Sequence, residues 1–513
     1  MKNKILLLLM IFFLISGLRA GENRTDAQPR EKNKPAPKVG RALLEMGLNL
    51  ALGTLDYWRK YHKFIEDWQF ELTWKDQKRK FFTSEGLRLD SNNLSLNWLH
   101  AWSGCWYYSY ARANRLSPFS SFLFSSGGSL FWEYIAEWRE ISSINDHVFT
   151  FAGGPAIGEP LFQIADHFRS RPGFGNRIAC LLANPILAIN DLLDGKNRVL
   201  RIPTQDWSDF RFSLGGKQGP VSPADNASAH AVFDLDLRLV TLPGYGRPGS
   251  GSGYSRQPID NEYRIAVSFN ERFVEEFFAR TRCVLSGWWW KNVRSGESGA
   301  LHGSESWLGW VTAWEFFQKK TIAAYDGDDL GQTIQWFERE QPSRFTDKFS
   351  AIHIIGPAFN LTRYLGRLTS RLDLEATFDF SMINALAYNR YSADHNIWGV
   401  KTTLHNWGYY YALGYTINGR LAVSSGLYRA QAGIKYQRFA SIQGLDRYQG
   451  LITDDSGLAD SRLIANAAFQ LRLPRSPLFL SLNLETIRRW GRFHEVNVNQ
   501  REVRLFYQLG VAF

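Results

Sequence analysis

The last thirteen residues, REVRLFYQLGVAF (501–513), decide the fold. Val503, Leu505, Tyr507, Leu509, Val511 and Phe513 share one face of an extended strand, because successive side chains in a strand point to opposite sides. The same period of two runs upstream. Phe233, Leu235, Leu237 and Leu239 alternate with Asp234, Asp236 and Arg238, and Tyr263, Ile265, Val267 and Phe269 with Arg264, Ser268 and Asn270. Leu372, Leu374, Phe378 and Phe380 stand against Asp373, Glu375, Thr377 and Asp379, and Leu480, Leu482 and Leu484 against Ser481, Asn483 and Glu485. About twelve such segments lie between Asp209 and Phe513, each long enough for the ~9–11 residues of a tilted membrane strand. Polar, turn-rich pieces separate them, among them PGYGRPGSGSGY (243–254), YDGDD (325–329) and DDSG (454–457).

A large soluble β-sandwich alternates in the same way. Composition favours a transmembrane barrel: aromatics reach 15% of 513 residues, yet mean hydropathy is only −0.28. A barrel has both properties, since only every second residue of a membrane strand must be apolar. Disorder is excluded by 44% hydrophobic residues, and a bundle of membrane helices by the lack of long apolar runs after the N-terminus. Trp288-Trp289-Trp290 and Tyr409-Tyr410-Tyr411 are candidates for interfacial girdles. The terminal segment resembles the C-terminal signal strand by which bacterial outer-membrane barrels are recognised for insertion, with Tyr507 and Phe513 as its assembly residues.

MKNKILLLLMIFFLISGLRA (1–20) places Lys2 and Lys4 before an apolar stretch and ends on a small residue, the pattern of a secretory signal peptide cleaved after Ala20. The expected location is the outer membrane of a Gram-negative bacterium. Loss of Lys2, Lys4 and Arg19 with the leader still leaves a basic protein, the whole chain being +11. In that compartment the expected partners are outer-membrane lipid and the barrel-assembly machinery, with no nucleic acid. The scattered Lys and Arg fit solvated loops and a barrel lumen. Three cysteines allow at most one disulfide.

Residues 21–40 read as a flexible charged spacer. Over 41–99, Leu44, Leu48, Leu52 and Leu55 predict an amphipathic helix, and short alternating pieces after Trp68, such as QFELTW (69–74), predict a strand or two. From 100 to 198, Gly and Pro punctuation predicts short helices. The barrel occupies 199–513. The fold class is therefore mainly β, an antiparallel barrel of about twelve strands with short helices packed against or inside it.

The most distinctive residues precede the barrel. HAWSGCWYYSYARAN (100–114) is followed by GSLFWEYIAE (128–137), SIND (143–146) and GGPAIGE (153–159). This ordered set resembles a bacterial family known only as domain of unknown function 3943, whose pattern runs H-P-Y-x-G-S-x-Y-Y-N-A-A-R-x-N, W-E-Y-x-x-E, S-I-N-D and G-G-x-x-x-G-E. The chain departs from it at Ala101 (for Pro), Cys105 (for Ser) and Arg115 (for Gly), so a looser turn after His100 is expected. The resemblance implies kinship and no activity.

The candidate polar cluster is His100, Arg112, Asn114, Glu133, Glu137, Asn145, Asp146 and Glu159. Glu133 and Glu137 stand one helical turn apart and call for a cation, for which Arg112 is the expected partner. A structural ion-pair network and a catalytic centre with a Glu as general base both fit. Ser143 to Asp146 read as a cap, and Gly104, Gly153, Gly154 and Gly158 as turn or packing positions. No metal-ligand spacing, cofactor motif or nucleophile signature occurs. The expected function is a plugged barrel binding or passing a small polar or amphipathic molecule. An envelope-modifying enzyme and a structural role are the alternatives. Phe513→Ala is expected to impair assembly, read as loss of heat-modifiable gel mobility, and a charge replacing Leu237 to destabilise the barrel more than one replacing Asp236.

Overall fold

The structure, a computed structural model, describes residues 36–61, 73–90, 94–137, 140–195, 207–219, 228–270, 273–296, 299–319 and 347–512. The leader, nearly all of the spacer, the YDGDD piece and Phe513 lie outside the described residues.

Among the described residues the alternating segments form twelve barrel strands: β1 Trp207–Gly219, β2 Ser228–Val240, β3 Asp260–Asn270, β4 Phe273–Ser295, β5 Leu301–Lys319, β6 Asp347–Gly366, β7 Leu368–Asn384, β8 Tyr409–Ser425, β9 Tyr428–Ser441, β10 Ala459–Arg472, β11 Leu478–Phe493 and β12 Val496–Ala512. Each pairs antiparallel with the next, and β12 returns to β1 from Leu505↔Gln218 to Ala512↔Arg211, which closes the ring. Gly249–Ser255 pairs with β4 beyond the end of β3. At the closing seam Tyr507 lies over Gly216, where a Cβ would meet its ring at 2.3 Å. The aromatic ring thus covers the gap left by a strand glycine.

The two faces separate as the alternation requires. Leu374, Leu413, Ile417, Leu421, Leu480, Leu482, Leu484 and Leu509 are exposed on the outer wall. Charged residues face inward and pair across the lumen. Arg238 binds Asp260 at 2.6 Å and Asp373 at 2.8 Å, Arg282 reaches Glu375 at 2.6 Å, Lys435 meets Glu315 at 2.6 Å and Arg504 meets Glu276 at 2.7 Å. Buried charges are tolerated only when paired in this way. Both signs line a cavity of about 190 Å³ between them.

Beyond this charged middle, each end holds an apolar cluster. Connection 385–408, with helices Leu386–Asp394 and Thr402–Trp407, packs Leu386, Tyr388 and Leu404 against Phe349, Phe439 and Phe493 of the strands. Segment 241–259 packs Leu242, Tyr245 and Ile259 against Val284, Trp307 and Val311. Connections 385–408 and 442–458 lie at one end, and segment 241–259 with the single-residue turn at Arg367 between β6 and β7 at the other.

The helices form a layer: α1 Val39–Tyr61, α2 Trp74–Phe82, α3 Leu94–Ala113, α4 Pro118–Phe131, α5 Ile144–Gly153, α6 Glu159–Arg169, α7 Phe174–Ala183 and α8 Pro185–Leu193. Side chains of Ser117, Ser143 and Asn184 cap α4, α5 and α8 by accepting from backbone N–H groups. A π turn, Trp132–Ala136, continues α4, and another, Gly154–Gly158, joins α5 to α6. The axis of the layer is the crossing of α3 and α5. A Cβ on Gly104 would lie 1.9 Å from the Thr150 carbonyl oxygen, and one on Gly153 2.3 Å from that of Ala101, so the two backbones touch.

The layer packs on the outside of the barrel. Trp98 stacks on Trp314 with ring centroids 6.5 Å apart, Phe149 meets Phe380 edge-on at 5.9 Å, and Phe168 meets Phe210 at 5.3 Å. These barrel residues alternate with the inward-facing Glu315, Asp379 and Asp209, so they belong to the outer wall. The tyrosine-girdle and turn expectations change accordingly. Tyr409 and Tyr411 are buried under the layer and form no girdle, while of the three tryptophans Trp288 and Trp290 stay exposed and Trp289 packs with the apolar cluster around Tyr245. Of the strand or two expected after Trp68, residues 69–72 lie outside the described residues and Leu87–Arg88 is one strand, paired in parallel with Ser142–Ser143; Trp74 opens a helix because the Thr73 side chain accepts from Asp76 N–H. No turn follows His100, which sits inside α3. Arg115, where the family pattern has Gly, takes a left-handed φ of 69°. Gly104→Ala is expected to destabilise the layer by ~1–3 kcal/mol, because the crossing has no room for a methyl. Gly127→Ala, with nothing within 4 Å of the new Cβ, is expected to be neutral or stabilising. Urea titrations read by tryptophan fluorescence compare the two.

Candidate functional site

Along α3, His100, Gly104, Tyr108 and Arg112 recur every four residues and so face one way. That face meets α5 and α6. At one end His100 Nε2 lies 3.2 Å from Asp146 Oδ1; in the middle Gly104 touches Thr150; at the far end Arg112 meets Glu159. Arg112 donates to both carboxylate oxygens of Glu159, at 2.7 and 2.9 Å, and to the Leu116 carbonyl at 2.7 Å. Tyr108 Oη adds a bond to Glu159 at 2.6 Å, and Gln163 another at 2.6 Å. The wider spacing of the π turn Gly154–Gly158 shifts the face on which Glu159 emerges and brings it to Arg112. Arg112 therefore does not serve Glu133 and Glu137. Its carboxylate is Glu159, and none of these residues lies in the lumen.

Glu133 and Glu137 find other partners. Glu133 Oε2 accepts from the Ser143 N–H at 2.8 Å, and Glu137 Oε1 from Trp132 Nε1 at 2.8 Å. Lys80 donates to the main-chain carbonyls of both. Burial, and next the Asp146 carboxylate, push the Glu133 carboxyl well above the usual range. Burial, and next Glu140, do the same to Glu137.

Asn145 is the hub beside them. Its amide donates to Asp146 Oδ1 at 2.8 Å and to Asn97 Oδ1 at 3.2 Å, while its carbonyl accepts from Asp90 N–H and the Ser143 hydroxyl. Asn97 in turn donates to the Tyr411 hydroxyl on β8 at 3.2 Å. Arg447, from the connection 442–458, pairs with Glu140 and, at 3.2 Å, with Asp90. The network thus ties the layer to a barrel strand and to a long connection. Asn114 stands apart: it donates to Glu45 at 2.7 Å and accepts from Arg41, holding α1 to the end of α3.

The eight candidate residues therefore fall into three places. His100, Glu133, Glu137, Asn145 and Asp146 share the network that reaches the barrel, Arg112 and Glu159 form a separate ion pair, and Asn114 anchors α1. Lys80, Asp90, Asn97, Glu140, Tyr411 and Arg447 complete the first of these and carried no motif in the sequence. Gly153 and Gly154 pack against Ala101 and Ser125, and Gly158 against Tyr108.

Chemically, burial lowers the His100 imidazole to about 4, which keeps it neutral and makes it a weak base, while Asp146 orients it. Among the described residues no hydroxyl or thiol is hydrogen-bonded to His100. Cys105 is not an activated nucleophile, because burial pushes its thiol up to about 12. Ser129 Oγ lies 2.9 Å from His147 Nδ1, a buried pair stacked against Tyr134 and Phe151.

Residues 86–186 match the family described as Domain of unknown function (DUF3943), which begins before and ends earlier than the 100–198 stretch read from the motifs. No curated protein matches the chain. Among solved structures it is similar to OmpTdeltaL8, a loop-deletion mutant of an outer membrane protein of Vibrio cholerae (6% identity over 60% of this chain and 100% of that one, TM-score 0.21). It is also similar to the translocator domain of the autotransporter NalP from Neisseria meningitidis (9%, 66% and 97%, TM-score 0.18). A third is the outer membrane protein opdK from Pseudomonas aeruginosa (10%, 60% and 99%, TM-score 0.16).

Glu159→Gln leaves Arg112 as a buried charge without its counter-ion and is expected to cost the layer ~3–5 kcal/mol. Adding Arg112→Met should recover part of that loss. Denaturant midpoints of the two variants test this.

Proposed function

We propose that this protein is a non-conducting barrel of the bacterial outer membrane that binds an amphipathic envelope molecule at its outer wall. The single observation behind this reading is the distribution of its groups. Paired charges cross the middle of the lumen, and apolar clusters fill both ends, so an aqueous path would have to break ion pairs and displace packed side chains. The polar network around Asn145 lies instead beside the apolar outer wall. A ligand with a polar head and apolar chains fits that boundary. Of the two roles read from the sequence, binding is favoured over passage.

A second reading, an enzyme acting on envelope lipid or glycan, has one observation in its favour. Asp146 lies 3.2 Å from His100 Nε2 and orients the imidazole, the positioning that a general base needs. In planar bilayers the purified protein is expected to give no steady conductance, and a stable open channel would overturn the binding reading. Mass spectrometry of lipids co-purified from envelopes should show bound amphiphile that His100→Gln or Asn145→Ala weakens by about tenfold while the barrel stays folded. Altered envelope chemistry that His100→Gln abolishes would instead favour the enzyme.

A further inference from the structure

We infer that the helical layer is itself immersed in the bilayer, with the exposed faces of α1, α4, α7 and α8 against acyl chains. The inference rests on the reading of the barrel as membrane-spanning. Its first support is continuity along single strands. On β8 the outward Tyr409 and Tyr411 are buried by the layer, and the next outward residues, Leu413, Tyr415, Ile417 and Leu421, are exposed. On β7 Met382 and Phe380 are covered, and Phe378 and Leu374 are exposed. The margin of the layer therefore abuts the lipid-facing belt, without a polar collar between them on these strands.

The second support is the apolar outer face of the layer, set against several buried polar side chains within it. Leu44, Leu48, Leu52 and Leu55 of α1 are 56–66% exposed, and Leu182 of α7 is 79% exposed. The interior meanwhile holds Asn97, Ser121, Ser125, Asn145 and Glu159, none with measurable exposure. Small residues and hydrogen-bonding side chains at helix contacts, with apolar residues outside, are how helices pack in lipid. An apolar surface of this extent is unfavourable in water.

Charge placement agrees. Residues 94–111 of α3, 46–55 of α1 and all of α4 contain no Asp, Glu, Lys or Arg. The uncharged run of α3 spans about 27 Å at ~1.5 Å per residue, close to the ~30 Å of a hydrocarbon core. No helix among the described residues is long and apolar enough to cross a membrane by itself, so the barrel wall must hold the layer in place.

The test uses the full-length protein with a single fluorophore-labelled cysteine at Leu48→Cys or Leu182→Cys. The native Cys105, Cys180 and Cys283 are buried, and unsubstituted protein gives the labelling background. Leu482→Cys on the barrel belt and Trp398→Cys in connection 385–408 are the references. The protein is reconstituted in phosphatidylcholine vesicles with plain or brominated acyl chains. Labels at 48 and 182 are expected to be quenched by brominated chains within about twofold of the label at 482, and to resist aqueous iodide, which should quench the label at 398. Quenching by iodide and not by brominated lipid would overturn the inference. So would shielding from both quenchers, which would mean that a second copy or another protein covers the face. If the label at 482 also escapes brominated lipid, the membrane-barrel reading falls, and this inference with it.

Discussion

Ring closure is the constraint on which the rest of the structure depends. In hydrocarbon no water is available to satisfy a backbone N–H or carbonyl, so a sheet can sit there only without free edges. The pairing of β12 with β1 removes both edges at once, and Tyr507 over Gly216 fills the gap at that join. Once the ring is closed, each strand must send alternate residues to lipid and to the lumen. The narrow interior then has to accommodate every charged residue of the inward faces, which explains why they pair across it instead of lying free.

The outer wall is not uniform. One sector carries the exposed apolar belt, whereas another is covered by helices whose aromatic side chains meet Trp314, Phe316 and Phe380. On the covered sector the wall tolerates small polar residues, and Thr281, Thr312 and Ser350 are all buried there. Two solvents are thus written into one barrel. Exposed Leu and Ile dominate the bare side, and protein packing selects by shape on the other.

Much of the fold was legible in the sequence, because alternation is a local signal. Leu480, Leu482 and Leu484 state their face without reference to any other residue, and about twelve repeats of that pattern correspond to the twelve strands. The helical layer was legible only as helices. Tyr409 and Tyr411 have the composition of a girdle, and nothing near them in the chain reveals that α3 covers them. The site was harder still. Arg112 had Glu133, Glu137, Asp146 and Glu159 to choose from, and the choice was made by a π turn at Gly154–Gly158 that leaves no periodic trace. Arg447 reaches Glu140 from across 307 positions of chain, and as a lone arginine in a polar connection it announces nothing.

The Asn97–Tyr411 hydrogen bond joins residues 314 positions apart, and it bears on the order in which the chain can be completed. The helices precede the wall in the chain, and the wall that receives them, β1 apart, is made of β3 to β8. Contacts of such high sequence separation form late, because the loop entropy must be overcome before they return anything. The N-terminal helices, made first, therefore cannot complete their docking until β8 has been made and placed in the wall.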